Sequence, residues 1–457
     1  MNDLKALIVE IGSTTTRASV VSLHPDGAVL CRGSAPTTVD QGDVSIGMKA
    51  AMSSLDKPDW AMSFGASSAA GGLSMSVHGL VYDMTVRAAK EAASGAGGNI
   101  KMITAGLLKA RDLERLRQSP PKMILVAGGF DYGEETTALA NAIEIAKLRL
   151  NVPVVYAGNV VNQIAVRDGF RHEGQEAFLS IAPNVYPKID TLVVEPVRAI
   201  IHEAFERHIV EAPGMNSIRD IVDQSILPVP GAVMKAAELL YDVWGDTLVL
   251  DVGGATTDIH SVTEGSEEMK KRLIAPEPLA KRTVEGDLGV YRNKDNCVAS
   301  ITKDVLRRRM GIESAKLEEL LSDYPPMPSG DHADLAALLC EECLVQGIAR
   351  HAGRRIVVYG PSGRVDLAEG KDLGAIRHIV LTGGALTKLP DPQAILKAAW
   401  KRLDPTLLLP KGEIKVHIDA DYVMALCGIL AKTHKEAAQT ILLRSLQKGT
   451  CHVDLMD

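Results

Sequence analysis

The sequence predicts an α/β protein with a duplicated core and a second α/β block inserted into it. Three observations carry this. Residues 6–17 (ALIVEIGSTTTR) and 247–258 (TLVLDVGGATTD) repeat one pattern. Strand-like and helix-like stretches alternate over residues 66–182, the mark of βαβ units. The chain carries 40 glycines and only 4% aromatic residues, which suits tight strand-to-helix loops around a small polar ligand. Its 457 residues are enough for about two to four domains.

The elements follow in order. Residues 4–11 are an apolar run and read as a strand. A second strand over 17–23 follows a tight Gly-Ser-Thr turn, and a third over 28–35 follows Pro25-Asp26-Gly27, a strong turn signal. A short helix is expected over 43–55, with capping residues near its start, and a strand over 59–64. Residues 66–182 form a separate block. Its strands are expected over 73–80, 100–104, 122–127 and 153–157, with helices near 84–93, 107–116 and 134–148. Gly128-Gly129 and Gly158-Asn159 fall just after strands, where open α/β sheets place their binding crevice. The block reads as an inserted Rossmann-like α/β domain. Beyond a crossing at 183–196 come helices near 197–208 and 232–241 and a strand over 247–252. The remainder mixes strands and helices, with a loop over 322–331 (SDYPPMPSGD). The last 25 residues read as one polar-faced helix and a tail. The expected domains are 1–65 plus 183–245, the insert 66–182, and 246–457.

The internal repeat points to chemistry. In register, Leu7 matches Leu248, Glu10 matches Asp251, Gly12 matches Gly253, and Thr15-Thr16 match Thr256-Thr257. Each copy is an apolar strand ending in an acid, then a Gly/Ser/Thr turn, then a second strand. An acid at a strand end can hold Mg²⁺, directly or through water. Glycine lets the backbone approach a phosphate closely. Successive N–H groups in the turn, with the hydroxyls, donate to phosphate oxygens. Two copies facing each other would clamp a polyphosphate from both sides.

Composition narrows the alternatives. The net charge is -7, with pI about 6.0, which offers no electrostatic footprint for nucleic acid. Few aromatics argue against base stacking. No run approaches 18 apolar residues, so no membrane span is expected. The N-terminus lacks the pattern of a secretory signal, so a cytoplasmic location is expected. Six scattered cysteines read as free thiols. Cys340 and Cys343 lie at helical spacing without a second CxxC and read as buried thiols, with ligation of an iron–sulfur cluster or metal as the second reading. Cys427 reads as core. Lys270-Lys271-Arg272 and Arg307–Arg309 read as solvated faces.

The two repeated segments resemble the PHOSPHATE 1 and PHOSPHATE 2 loops of the actin/Hsp70/sugar-kinase ATPase superfamily. Residues 229–240 (VPGAVMKAAELL) resemble its connect 1 helix. Residues 379–387 (IVLTGGALT) resemble its adenosine motif, and 420–431 (ADYVMALCGILA) its connect 2 helix. A closer resemblance spans nearly the whole chain. The strings IGSTTTR, ASSAAGGL, AGGFDYGEE, AGNVVNQ, DVGGATTDIHSV and RTVEGDLG are similar to the glutamate-mutase-associated MutL (GlmL) family. Glu10 stands where most of the wider superfamily carries Asp, and GlmL-like sequences also carry Glu there.

The resemblance implies two ribonuclease-H-like lobes of the actin/Hsp70 ATPase type, with ATP and Mg²⁺ between them. It implies that Gly12, Ser13, Thr14 and Thr15 hold one side of the phosphates, and Gly253, Gly254, Ala255 and Thr256 the other. Glu10 and Asp251 would position the metal, and Gly383 and Gly384 would let adenosine pack on bare backbone. Asp287, with Glu285 second, would position the attacking water. The implied role is an ATP-dependent, weakly hydrolysing chaperone. It would reactivate an adenosylcobalamin-dependent mutase or aminomutase by releasing damaged cobalamin as the lobes close. The 66–182 insert is the expected partner-binding element, and the sequence is compatible with a homo-oligomer. A small-molecule kinase and an ATP-driven activator of a radical enzyme share the fold and stand as alternatives.

Overall fold

The computed structural model describes residues 4–38, 41–56, 59–68, 73–95, 98–189, 191–210, 218–223, 226–360 and 363–454. Residues 69–72, within the ASSAAGGL string, lie outside them. The chain divides into two compact units. The larger is Met1–Ala69, Val210–Ile274 and Leu279–Asp457; the smaller is Ala70–Ile209 with Ala275–Pro278.

The larger unit opens with β1 (Lys5–Ile11), β2 (Thr15–Ser22), β3 (Ala28–Pro36) and β4 (Met62–Ser67). β1 pairs antiparallel with β2 and parallel with β4, so it is central. Centrality explains its composition: Ala6, Leu7, Ile8, Val9 and Ile11 are all buried, as a strand covered on both faces requires. The Val44–Ser53 helix starts where the Asp43 carboxylate accepts the Ser45 N–H at 2.8 Å, a side-chain cap. β4 begins three residues later than the 59–64 expectation and ends at Ser67.

The smaller unit holds β5 (Leu73–Gly79), β6 (Gly98–Ala105), β7 (Met123–Val126), β8 (Val154–Tyr156) and β9 (Leu179–Ile181). The pairings among these five strands are parallel, in the order β6-β5-β7-β8-β9. Its core gathers Ile124, Val126, Ala142, Tyr156, Val166 and Phe170. Its boundaries differ from the expected 66–182. The chain after β9 stays in this unit because its side chains are used there. Asn184 Nδ2 donates to Gly129 O at 2.9 Å, and Tyr186 packs its ring 5.6 Å from that of Phe130. The Glu195–Val210 helix, expected in the first lobe, belongs here instead, and residues 275–278 return to bring Glu277 to Arg87.

β10 (Ile226–Pro228) re-enters the larger unit beside β4, giving a first sheet β10-β4-β1-β2-β3. The second sheet contains β11 (Thr247–Val252), β12 (Thr257–Val262) and β13 (Ala280–Glu285). A hairpin, β14 (Arg354–Gly360) with β15 (Gly363–Glu369), stands apart. The sheet is completed by β16 (His378–Thr382), β17 (Glu413–Ile418) and β18 (Thr450–Asp454), in the order β13-β12-β11-β16-β17-β18. Both sheets are built alike: three antiparallel strands in sequence, then two more added parallel to the first strand on its other side. This is the ribonuclease-H-like plan, present twice. The expected two lobes are thus two sheets of one compact unit. The expected tail is corrected: residues 450–454 add β18 antiparallel to β17.

Two small-residue helices, Val229–Trp244 and Met424–Leu430, share one buried core with residues of both sheets, among them Ala6 and Phe64 of the first and Val249 and Val380 of the second. They approach closely because Gly428 has no side chain; a Cβ there would lie 1.7 Å from Ala232 O. No helix among the described residues is long and apolar enough to cross a membrane.

Candidate functional site

The repeat in the sequence is a repeat in space. In the first copy Glu10 stands opposite Arg17 across the hairpin; in the second Asp251 stands opposite Asp258. The connecting turns close with the same bond, Gly12 N–H to Thr15 O at 3.0 Å and Gly253 N–H to Thr256 O at 2.9 Å. Each turn is braced from outside. Thr37 Oγ1 donates to Gly12 O at 2.9 Å. Tyr291 N–H donates to Gly254 O at 2.9 Å, and Asn293 Nδ2 to Ala255 O at 2.6 Å. The two turns meet: a Cβ on Gly254 would lie 2.9 Å from Thr14 Cγ2. Residues 12–15 and 253–256, expected to face each other, are therefore brought together.

Acidic groups line the floor. Glu10, Asp258 and Asp419 are buried and Asp251 is partly so. Burial pushes the Glu10 carboxyl up to about 7, against the opposing pull of Arg17 and Arg32. Burial raises Asp251 to about 7 as well, reinforced by Asp419 and opposed by Arg17. Asp258 is raised well above the carboxylate range by burial and then by Asp251. Asp419 is raised by burial, although it accepts the Val423 N–H at 2.8 Å, the Met424 N–H at 3.1 Å and the Thr382 hydroxyl at 2.9 Å. The opposing cations are Arg17, Arg32 and Arg282; the Arg17 guanidinium stacks 3.6 Å over the Tyr422 ring. One oxygen, Asp258 Oδ1, is buried with no hydrogen-bond partner among the described residues.

Gly383 and Gly384 follow β16 directly. Gly383 has φ +89°, and a Cβ there would meet Asp251 Oδ1 at 2.4 Å and Val252 N at 2.5 Å. Its neighbour is the Asp251 carboxylate. A Cβ on Gly384 would meet nothing within 4 Å, so that backbone faces open space.

Asp287 and Glu285 lie at the end of β13, on the segment that braces the second turn. Arg350, from the Asp331–His351 helix, holds both: Nη1 donates to Glu285 Oε2 at 2.5 Å and to Asp287 Oδ1 at 2.8 Å. Asp287 is half exposed and Glu285 largely covered.

Sequence reasoning assigned no role to Asp258, Arg17 or Asp419. Asp258 and Arg17 close the two quoted segments at matching positions, so the repeat itself was the signal. Asp419 stands one residue ahead of the expected connect 2 helix, which starts at Met424 rather than 420; an acid just before a helix is a capping signal. Cys340 and Cys343 are buried in the core, with Cys343 Sγ 3.5 Å from Cys297 Sγ. Among the described residues no three His, Cys, Asp or Glu side chains gather as a set of metal ligands.

The family model described as MutL protein matches residues 6–446. A relative, Protein MutL of Clostridium tetanomorphum, is 32% identical over 464 residues, covering 97% of this chain and 99% of the relative. Solved structures with distant likeness include nucleotide-free acetone carboxylase (TM-score 0.41, 13% identity, 94% of this chain and 70% of that chain). Diol dehydratase-reactivating factor in nucleotide-free form has TM-score 0.37 and 12% identity, over 94% of this chain and 100% of that one. The activator of 2-hydroxyisocaproyl-CoA dehydratase from Clostridium difficile has TM-score 0.34 and 9% identity, over 96% and 97%.

Proposed function

This chain belongs to the glutamate-mutase-associated MutL family, and from that premise we propose that it is a weak Mg²⁺-dependent ATP hydrolase that reactivates an adenosylcobalamin-dependent mutase or aminomutase. The observation that carries the ATP reading is the pair of like-bonded Gly–Thr turns meeting at Thr14 and Gly254 over buried carboxylates. Backbone N–H groups and hydroxyls of Gly12, Ser13, Thr14 and Thr15 would donate to phosphate oxygens from one side. Gly253, Gly254, Ala255 and Thr256 would donate from the other. The open backbone at Gly384 would take the face of adenosine.

The residues fit a divalent cation. Crowded buried carboxylates with raised proton affinity and the unpartnered Asp258 Oδ1 call for positive charge. Mg²⁺ suits such a site, since it is commonly held by one or two carboxylates with water and phosphate. Glu10 and Asp251 would hold it, with Asp258 opposite Asp251 across the hairpin. The ion would neutralise charge on the β- and γ-oxygens. Asp287 would orient the attacking water, with Glu285 second and Arg350 fixing both.

The smaller unit would engage the client enzyme. Its exposed large apolar side chains include Tyr82, Leu107, Tyr132, Val161, Ile164 and Ile189. All six lie on segments that follow the C-terminal ends of β5 to β9, and hence at one end of a parallel sheet. Exposed apolar side chains gathered after the strand ends would suit an interaction site.

ATP hydrolysis by wild type and Asp251→Ala, with and without an inactivated adenosylcobalamin mutase, tests the reading. Turnover is expected to fall at least about tenfold in the variant and to rise with the mutase in the wild type. Hydrolysis indifferent to the mutase would remove the client while leaving the ATP site. Absence of nucleotide binding would remove both.

A further inference from the structure

A cleft of about 390 Å³ opens in the larger unit between the edge strand β3 and the Lys435–Gln447 helix. At about 30 Å³ per water it holds roughly a dozen, the space of a small metabolite. None of the residues assigned to phosphate, adenosine or metal lines it. Its charged residues are Arg32, Arg444, Lys448 and Asp421, three cations to one carboxylate, in a chain whose net charge is -7.

These cations are only partly used. Arg444 Nη1 donates to Asp26 O at 2.5 Å and Gly27 O at 2.8 Å, while Nε and Nη2 reach no acceptor among the described residues. Lys448 Nζ meets Asp421 Oδ2 at 2.5 Å, one bond for a group with three donors. Arg32 donates through Nε to Ser19 Oγ at 3.1 Å and through Nη1 to Asp421 O; its Nη2 has no acceptor among the described residues. Ser445, buried in the wall, adds a hydroxyl.

We propose that this cleft binds a small dianion, a dicarboxylate or a phosphate monoester, at Arg32, Arg444 and Lys448. A dianion matches a lining of three cations and one carboxylate, and its oxygens match the donors that Arg32, Arg444 and Lys448 leave unused. The wall is shared with the carboxylate floor. Ser445 Oγ accepts the Asp421 N–H at 3.4 Å and lies 3.5 Å from Asp419 Oδ1. A bound dianion is therefore expected to change nucleotide affinity. That coupling rests on the nucleotide reading; the binding itself does not.

The test is calorimetric titration of the full chain with succinate and, separately, inorganic phosphate, each with and without saturating ADP. At least one probe is expected to bind once per chain in the presence of ADP. Arg444→Ala/Lys448→Ala is expected to weaken it at least tenfold with ADP binding retained. Lys448→Ala alone, at an exposed position, serves should the double variant fold poorly, with a several-fold loss expected. The two probes distinguish the dicarboxylate from the phosphate source. Failure of both probes, or unchanged binding in the variants, overturns the proposal. Binding abolished by ADP but untouched by the variants places the anion in the phosphate turns and also overturns it. If ADP itself does not bind, the nucleotide reading fails while the cleft titration still stands on its own.

Discussion

Gly383 shows how tightly single residues determine the candidate site. A methyl group there would enter the space of Asp251 Oδ1 and the Val252 backbone, at a φ of +89° that side chains rarely adopt. Gly383→Ala is expected to lower stability by about 1–3 kcal/mol and to weaken nucleotide binding. A urea titration and an ADP titration check the two effects. Glu10 carries a pH signature. The folded state keeps its proton up to about 7, while the unfolded chain releases it near 4.5. Between these values the native state binds more protons than the unfolded one, so the contribution is present at low pH and is lost as pH rises through 7. Glu10→Gln, neutral throughout, is expected to gain melting temperature relative to wild type as pH is raised from 5 to 8. Parallel melting curves would refute this. The residues at Glu10, Gly12, Asp251 and Gly253 were legible because the repeat marks them twice. Asp419 was not, because its role depends on a floor assembled from β1, β11 and β17.

At the scale of elements, the Val229–Trp244 and Met424–Leu430 helices join the two sheets through a surface of small residues. Gly428→Val would drive a side chain into the Ala232 carbonyl. Overpacking of this kind costs about 1–3 kcal/mol or more, and the denaturation midpoint is expected to fall accordingly. The Asp331–His351 helix contributes through Arg350, which holds Glu285 and Asp287 together. Arg350→Ala is expected to lower the turnover number for ATP about tenfold or more with little change in KM, since neither acid is assigned to binding. Equal changes in kcat and KM would argue against the positioning role. The central strands were readable as apolar runs. β9, three residues long and half-exposed, and β18, a short edge strand, were not, because their pairing comes from neighbours distant in sequence.

On the scale of the whole molecule, the long segment of the smaller unit runs in the chain between β4 and β10, and the exposed apolar residues after its strands are the candidate client surface. Tyr132→Asp with Ile164→Asp, both highly exposed, should leave melting temperature and basal hydrolysis unchanged. Stimulation by the mutase is expected to fall to the unstimulated level, and retained stimulation would move the client elsewhere. By itself, the sequence determined the duplicated α/β core, the two acid-Gly-Thr turns and the presence of an inserted block. Each of those is written in local periodicity or in a repeat, and local patterns survive without knowledge of contacts. Only the tertiary structure decided that the insert runs on through the Glu195–Val210 helix, that the tail becomes β18, and that Asp258, Asp419 and Arg17 converge with Glu10 and Asp251. Those are decisions about which buried side chains and unpaired strand edges find one another. Packing across distant parts of the chain settles them.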